Sequence, residues 1–353
     1  MMTLRDNLLR TMRRQGFDQT PVTLDLCPTQ VEAFEKRFGH RDYLSYFRSP
    51  SRCVGVAMCQ TFTDGRALFK RETLPNDATI NVWGVAHSPQ PSCYHMTHMH
   101  HPLAGDVTLE EVKTYPLPAV ADNALDQAAA ETRDLHASGL AVMGSMACTI
   151  WEIAWYIRSM EDLMADMAAE DERAVVHFDR LTDLACRRSR ICALAGMDII
   201  QFGDDIGMQR STMMSVDMWR RWIKPRFARV IRAAKEIKPD ILIFYHSCGF
   251  VLPFLDDLIE IGVDILNPVQ PECMEFEEVY KLARGRLSFW GTIGTQTTLP
   301  FDTPDEVRKV VRSRLEICGA QGGIVIAPTH LVEPEVPWAN LQAMADEAWA
   351  YKG

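Results

Sequence analysis

His246-Ser-Cys248 follows the apolar run Asp240-Ile-Leu-Ile-Phe-Tyr245, which reads as a strand. At an extended strand end, residues i and i+2 point to the same side, so the imidazole and the thiol face one centre. A neutral imidazole and a thiolate are usual zinc ligands, and a catalytic zinc keeps three protein ligands and one open position. His330, just past the apolar run Gly322-Gly-Ile-Val-Ile-Ala-Pro328, is the natural third ligand. The other reading of so short a motif is a buried thiol beside a hydrogen-bonded core histidine.

Further polar residues stand where other apolar runs end. Asp204 and Asp205 close Met197-Asp-Ile-Ile-Gln-Phe202, and Asn267 closes Val263-Asp-Ile-Leu. The two aspartates read either as a carboxylate pair for proton transfer or as a helix cap with a solvated neighbour. His95-Met-Thr-His98-Met-His100-His101 has the letters of a metal tract, but Pro102 argues against a helix that would align them. A loop is expected there, its histidines binding substrate, capping other groups or lying in solvent. Arg41, Arg66 and Arg71 are candidates for holding a carboxylate. Trp83, Met143, Met146, Trp151 and Trp290 read as core or as walls for an aromatic ring.

These residues need elements to position them. Leu4, Leu8, Leu9 and Met12 recur at helical spacing, and Pro28 to Phe38 reads as a helix ended by Gly39. A long helix is expected from Trp151 to beyond Met167. Val22–Leu26 and Thr79–Trp83, with six runs beginning near residues 139, 197, 240, 263, 287 and 322, make eight strand candidates. Helical stretches separate most of them. That alternation predicts βα units on a parallel sheet, and eight strands are the arithmetic of a (β/α)8 TIM barrel. The weakly patterned, proline-rich stretch from about 50 to 125 is expected to be an irregular N-terminal elaboration of a single unit, residues 1–353.

Composition narrows the function classes. The 353 residues are 47% hydrophobic and carry a net charge of −10, which disfavours nucleic-acid and anionic-membrane binding. No glycine-rich nucleotide-binding fingerprint follows a strand. The ten cysteines are dispersed without a Cys-x-x-Cys pair, so reduced thiols and a cytoplasmic location are expected. Arginines 5, 10, 13 and 14 interrupt any uncharged export segment.

Taken together, several segments resemble the uroporphyrinogen decarboxylase superfamily of (β/α)8 barrels. They are His101-Pro-Leu-Ala104, Trp155-Tyr-Ile-Arg-Ser-Met-Glu-Asp162, Phe202-Gly-Asp-Asp-Ile-Gly207, His246-Ser-Cys-Gly249, Trp290-Gly-Thr-Ile-Gly294 and the stretch from Gly322 to Asn340. The decarboxylases themselves use no metal and grip their acidic substrate with an Arg-Gln-Ala-Gly-Arg motif. Here the corresponding place reads Leu24-Asp25-Leu26-Cys27-Pro28, and Arg13-Arg14-Gln15-Gly16 precedes the first strand candidate. Tyr156 matches their substrate-binding tyrosine, and their late histidine falls near His330.

The zinc-dependent branch, methyltransferases that work with corrinoid (cobalamin) proteins, is the closer resemblance. Its His-x-Cys is present as His246 and Cys248. Its late Pro-Gly-Cys is here Pro328-Thr-His330, which makes the implied zinc set His246, Cys248 and His330. The resemblance implies transfer of a methyl group between a small molecule, by O-demethylation of a methyl ether, and the cobalt of a corrinoid on a partner protein. Asp204, Asp205 and Tyr156 are the implied catalytic residues, with an aspartate as a further zinc partner or proton donor. The alternative is metal-free decarboxylation of a small acidic substrate.

Overall fold

The computed structural model describes residues 2–90, 97–283 and 285–352. Seven parallel strands form one curled sheet in chain order: β1 (Ser51–Gly55), β2 (Ala141–Met146), β3 (Ile199–Gly203), β4 (Leu242–His246), β5 (Ile265–Asn267), β6 (Ser288–Trp290) and β7 (Ile324–Val325). Helices such as Glu172–Leu194, Lys224–Lys235 and Pro304–Cys318 follow the strands and cover the outer face. The last begins with a capping box, Thr303 and Glu306 each bonding the other's backbone N–H, with Pro304 at its first position.

The eight-stranded closed barrel expected from the sequence is met in part. Pro21 to Leu26 runs beside β7, but only through the single bridges Val22–Ile326 and Leu26–Val332. It is tied to the other edge by side chains, Thr23 Oγ1 to Ser49 Oγ at 3.0 Å. The sheet is therefore barrel-like, and its ladder is not closed. Thr79–Trp83 was the wrong candidate for a barrel strand. Thr79–Ile80 pairs antiparallel with Ala86–Pro89, which pairs with Thr97–His100 in a separate small sheet. The strand in the barrel is Ser51–Gly55, whose sequence SRCVG lacks an apolar alternation. The helix from Trp151 is also broken, at Ser159 (φ 74°), into Trp151–Arg158 and Met160–Ala168.

Inside the curl, period-2 alternation sends Ala141, Met143, Ile199, Leu242, Phe244 and Ile265 inward. The expected first helix, Leu4–Met12, plugs the N-terminal end of the strands with Leu8, Leu9 and Met12 in the same cluster. Asp198 locks that plug in place, 2.7 Å from Arg5 Nη2 and 2.8 Å from His136 Nε2. With one end filled, the C-terminal strand ends form the open mouth. Among the described residues, no helix is long and apolar enough to cross a membrane.

Candidate functional site

The last residues of three neighbouring strands meet at the mouth. His246 pairs in register with Gly203 of β3 on one side and Asn267 of β5 on the other. Gly203 is required there, since a Cβ would lie 2.8 Å from the His246 Cβ. His246 shares parity with inward Leu242 and Phe244, so its ring turns into the curl. Beyond β4 the chain turns at Gly249 (φ 84°), where an added Cβ would strike the backbone of Gly207 and Met208. That turn holds Cys248 beside His246, with Sγ 3.7 Å from Nε2.

Asp205 completes the group. Its Oδ1 lies 3.7 Å from His246 Nε2 and accepts the Cys248 backbone N–H at 2.7 Å. One donor atom each from Asp205, His246 and Cys248 falls within 4.8 Å of the other two. Tetrahedral zinc with bonds of roughly 2.0–2.3 Å sets its ligands about 3.3–3.6 Å apart, so this spacing is close to ligand geometry. The orientation of His246 also fits. Asn267 Nδ2 donates to the Trp290 carbonyl at 2.6 Å, which turns Asn267 Oδ1 toward His246 Nδ1 at 2.6 Å. Nδ1 therefore carries the proton, and the Nε2 lone pair faces Asp205 and Cys248.

The electrostatics suit a cation. Burial, then the charges of Asp205 and Glu152, push the Cys248 thiol up to about 12. Without a positive charge beside it, this cysteine stays protonated at neutral pH; a bound metal ion would supply that charge. Imidazole, thiolate and carboxylate together are an accepted zinc donor set.

The third group within ligand spacing in the structure is Asp205, and His330, the third ligand expected from the sequence, stands next to the cluster. The rings of His246 and His330 are 6.4 Å apart, and burial pushes the His330 pKa down. His330 stands beside the cluster, between two cavities. An inner one of about 580 Å³ lies within the curl, lined among others by His246, Asn267, Phe244 and Trp290. An outer one of about 500 Å³ includes Cys248, Gln270 and Phe301 in its walls.

The two aspartates have separated roles. Asp204 is fully buried, and its carboxylate accepts the backbone N–H groups of Ile150, Trp151 and Glu152 at 2.9–3.2 Å. It caps the helix Trp151–Arg158 from across the sheet and faces neither cavity, so the capping reading holds for Asp204. Tyr156 lies one contact behind the cluster. Its hydroxyl donates to Glu152 Oε1 at 2.8 Å, and Glu152 Oε2 accepts the Asp205 backbone N–H at 3.3 Å. Burial and the Asp205 charge push the Glu152 pKa up. Sequence reasoning missed Glu152; the available signal was one acid inside the otherwise apolar Trp151-Glu-Ile-Ala-Trp155.

Other candidates are absorbed elsewhere. Arg41 pairs with Glu35 and Arg71 with Glu111, while Arg66 donates to backbone carbonyls. Arg14 reaches Ser288 Oγ at the plugged end. The expected histidine loop is in part the strand Thr97–His100; His95 lies outside the described residues. His100 bonds Glu72 and Ser88, and His101 bonds the Tyr156 carbonyl. Met143 and Trp290 line the inner cavity, Met146 and Trp151 are fully buried core, and Trp83 packs against the core from outside it. The sequence also holds Asp134-Leu-His136-Ala-Ser-Gly139, the letters of the Asp-x-His-x-x-Gly corrinoid-binding pattern. Here His136 bonds Asp198 at the plugged end, away from the mouth.

Parallel strands with covering helices and an N, O, S donor cluster at their C-terminal ends define a barrel-type protein with a candidate metal centre. The chain belongs to the uroporphyrinogen decarboxylase (URO-D) family, whose model matches residues 99–351. Among solved structures it is similar to a methyltransferase from Methanosarcina mazei, at 16% identity and a TM-score of 0.68, over 99% of this chain and 98% of that one. At that identity the likeness shows the fold. A β-L-arabinopyranosidase from Geobacillus stearothermophilus matches more loosely, with a TM-score of 0.41, 10% identity and coverage of 95% and 77%. No curated protein sequence matches the chain.

Proposed function

We propose that this protein is a zinc-dependent methyltransferase acting between a small methyl ether and the cobalt of a corrinoid carried by a separate protein. The observation that carries the reading is the Asp205–His246–Cys248 cluster, with His246 held in its metal-binding tautomer by Asn267. When bound, zinc supplies Lewis acidity to the oxygen that loses the methyl group. The chain's own residues do the rest. Asn267 orients the imidazole, the Cys248 amide holds the Asp205 carboxylate, and Glu152 with Tyr156 fixes the Asp205 backbone from behind.

The two cavities give substrate and partner separate approaches. The small molecule enters the inner cavity, and the partner meets the outer one. Exposed Met208 and Phe301, at 54% and 76%, stand on the rim of the outer cavity and offer apolar contact. Metal-free decarboxylation of an acid is the weaker reading, because Arg41, Arg66 and Arg71 are all engaged elsewhere. A cytoplasmic setting, where thiols stay reduced, suits Cys248 as a ligand.

The test supplies 2-methoxyphenol and reduced free cobalamin to the zinc-loaded protein and follows 1,2-dihydroxybenzene by chromatography. Release is expected from the wild type and not from His246→Ala. Undiminished release from chelator-treated protein would contradict the reading.

A further inference from the structure

The plugged end of the curl holds a cavity of its own. It encloses about 760 Å³ where the residues just before β6 and β7 meet the helices Phe276–Ala283 and Pro304–Cys318. Arg14, two residues beyond the plug helix, lines it by way of a passage that glycine keeps open. Gly322 and Gly323 both take positive φ, 78° and 87°, and a Cβ on Gly323 would lie 2.9 Å from Arg14 Cγ. Arg14 itself sits at φ 56°, a conformation uncommon for a residue with a side chain. Ser288 pins one corner of the guanidinium: its Oγ accepts from Arg14 Nη1 at 3.0 Å and donates to the Met12 carbonyl at 2.7 Å. Among the described residues no carboxylate pairs with Arg14, and its Nε and Nη2 have no partner.

The facing walls are apolar or aromatic. Tyr280, Leu287, Ile317 and Cys318 form them, with Leu287 and Cys318 buried. The Tyr280 ring packs on Phe276 and Phe289, and its hydroxyl has no hydrogen-bond partner among the described residues. The other charged residues of the lining, Lys281 and Glu277, pair with each other at 2.9 Å, which leaves Arg14 as the unbalanced charge. A guanidinium already held at one corner keeps a planar edge of donors free, the geometry that meets a carboxylate. Little side-chain freedom is then lost when an acid binds. A bare hydrated anion would leave the apolar walls wet, and a neutral ring would leave the guanidinium without a partner. The volume suits an acid with one or two rings.

We propose that this cavity is a second ligand site, which takes an organic acid with a flat apolar body, its carboxylate on Arg14 and its body against Tyr280, Leu287 and Ile317. The site lies at the opposite end of the strands from the metal cluster, so its occupancy does not depend on methyl transfer. The occupant joins the segment that follows the plug helix to the helices before β6 and β7. Binding therefore stabilises the plugged end by mass action.

Calorimetry on the protein as purified would compare 2-naphthoate, 2-naphthalenemethanol and inorganic phosphate on the wild type, Arg14→Gln, Arg14→Lys and Ile317→Trp. On the wild type, the naphthoate is expected to bind at least about tenfold more tightly than the alcohol, with phosphate weakest. Arg14→Gln removes that preference, and Arg14→Lys, which keeps the charge without the fork, retains part of it. Ile317→Trp fills the cavity while leaving Arg14 in place, so it weakens naphthoate binding even if Arg14→Gln fails to fold. In thermal unfolding the naphthoate should raise the melting temperature of the wild type and not that of Ile317→Trp. Equal binding of the acid and the alcohol overturns the proposal, as does phosphate binding most tightly or none of the three binding at all. A preference that survives in Arg14→Gln places the acid elsewhere on the protein and overturns it too, and so does undiminished binding to Ile317→Trp.

Discussion

Asn267 Oδ1 lies 2.6 Å from His246 Nδ1, and this contact decides which imidazole nitrogen is free to bind a cation. The Asn267 amide cannot turn over without setting its N–H₂ against the imidazole N–H and losing the Trp290 carbonyl. His246 is thus presented through Nε2, toward Asp205 and Cys248.

Removing that support should weaken the site without removing a ligand. Asn267→Ala is expected to lower zinc affinity by about 10–100-fold, the usual effect of losing a group that orients a metal-bound histidine. Competition with a chromophoric chelator measures it. Unchanged affinity would show that Asn267 orients nothing.

The paired aspartates should separate by experiment. Asp204→Ala strands three buried amides at a helix start, at roughly 1–3 kcal/mol each, so a loss of at least about 3 kcal/mol is expected in denaturant unfolding. Asp205→Ala should change stability far less and metal affinity far more. Were the two variants to behave alike, the division of roles drawn from their contacts would be wrong.

Metal uptake should release a proton. With its pKa near 12, Cys248 enters the site as a thiol and leaves its proton behind when a cation binds. Zinc titration of metal-free protein in weak buffer with a pH indicator should show about one proton per metal at pH 7–8. Affinity should fall as pH falls, because protons compete for the same sulfur. The Cys248→Ser protein should show a smaller release.

A second pH effect lies far from the mouth. His177 is fully buried, donates to the Ala154 carbonyl through Nε2, and has its pKa pushed down to about 4 by burial. The unfolded chain takes up this proton near pH 6.5 and the folded chain only near 4. Its stabilising contribution is therefore complete above about pH 6.5 and lost as pH falls toward 4, amounting to about 3 kcal/mol. Unfolding free energies of wild type and His177→Gln across pH 4–7 should converge as pH falls; parallel curves would contradict the assignment.

How far the sequence carried this account depends on what each signal was. His-x-Cys was legible because i and i+2 at a strand end share a side, although β4 stops at His246 and the turn at Gly249 is what holds Cys248 there. The helices Leu4–Met12 and Pro28–Phe38 were legible from apolar spacing and from Gly39. Ser51–Gly55 was missed because its outer face is buried chiefly by Val54, and its inward residues are small or polar. His330 was read as a ligand because it follows a strand; that position carries no signal that Asp205, just beyond β3, also comes within ligand spacing of His246 and Cys248. Helical i,i+4 spacing places Glu152 beside Tyr156, but its contact with the Asp205 backbone is tertiary, and nothing local in the sequence signals it.

The central claim is a zinc site made by Asp205, His246 and Cys248, with His330 outside it. Elemental analysis of wild type, Cys248→Ala and His330→Ala, each purified without chelator, tests it most directly. About one zinc per chain is expected in the wild type and in His330→Ala, and almost none in Cys248→Ala. A wild type that takes up no zinc even when it is supplied, or a Cys248→Ala protein that keeps its zinc, would contradict the account.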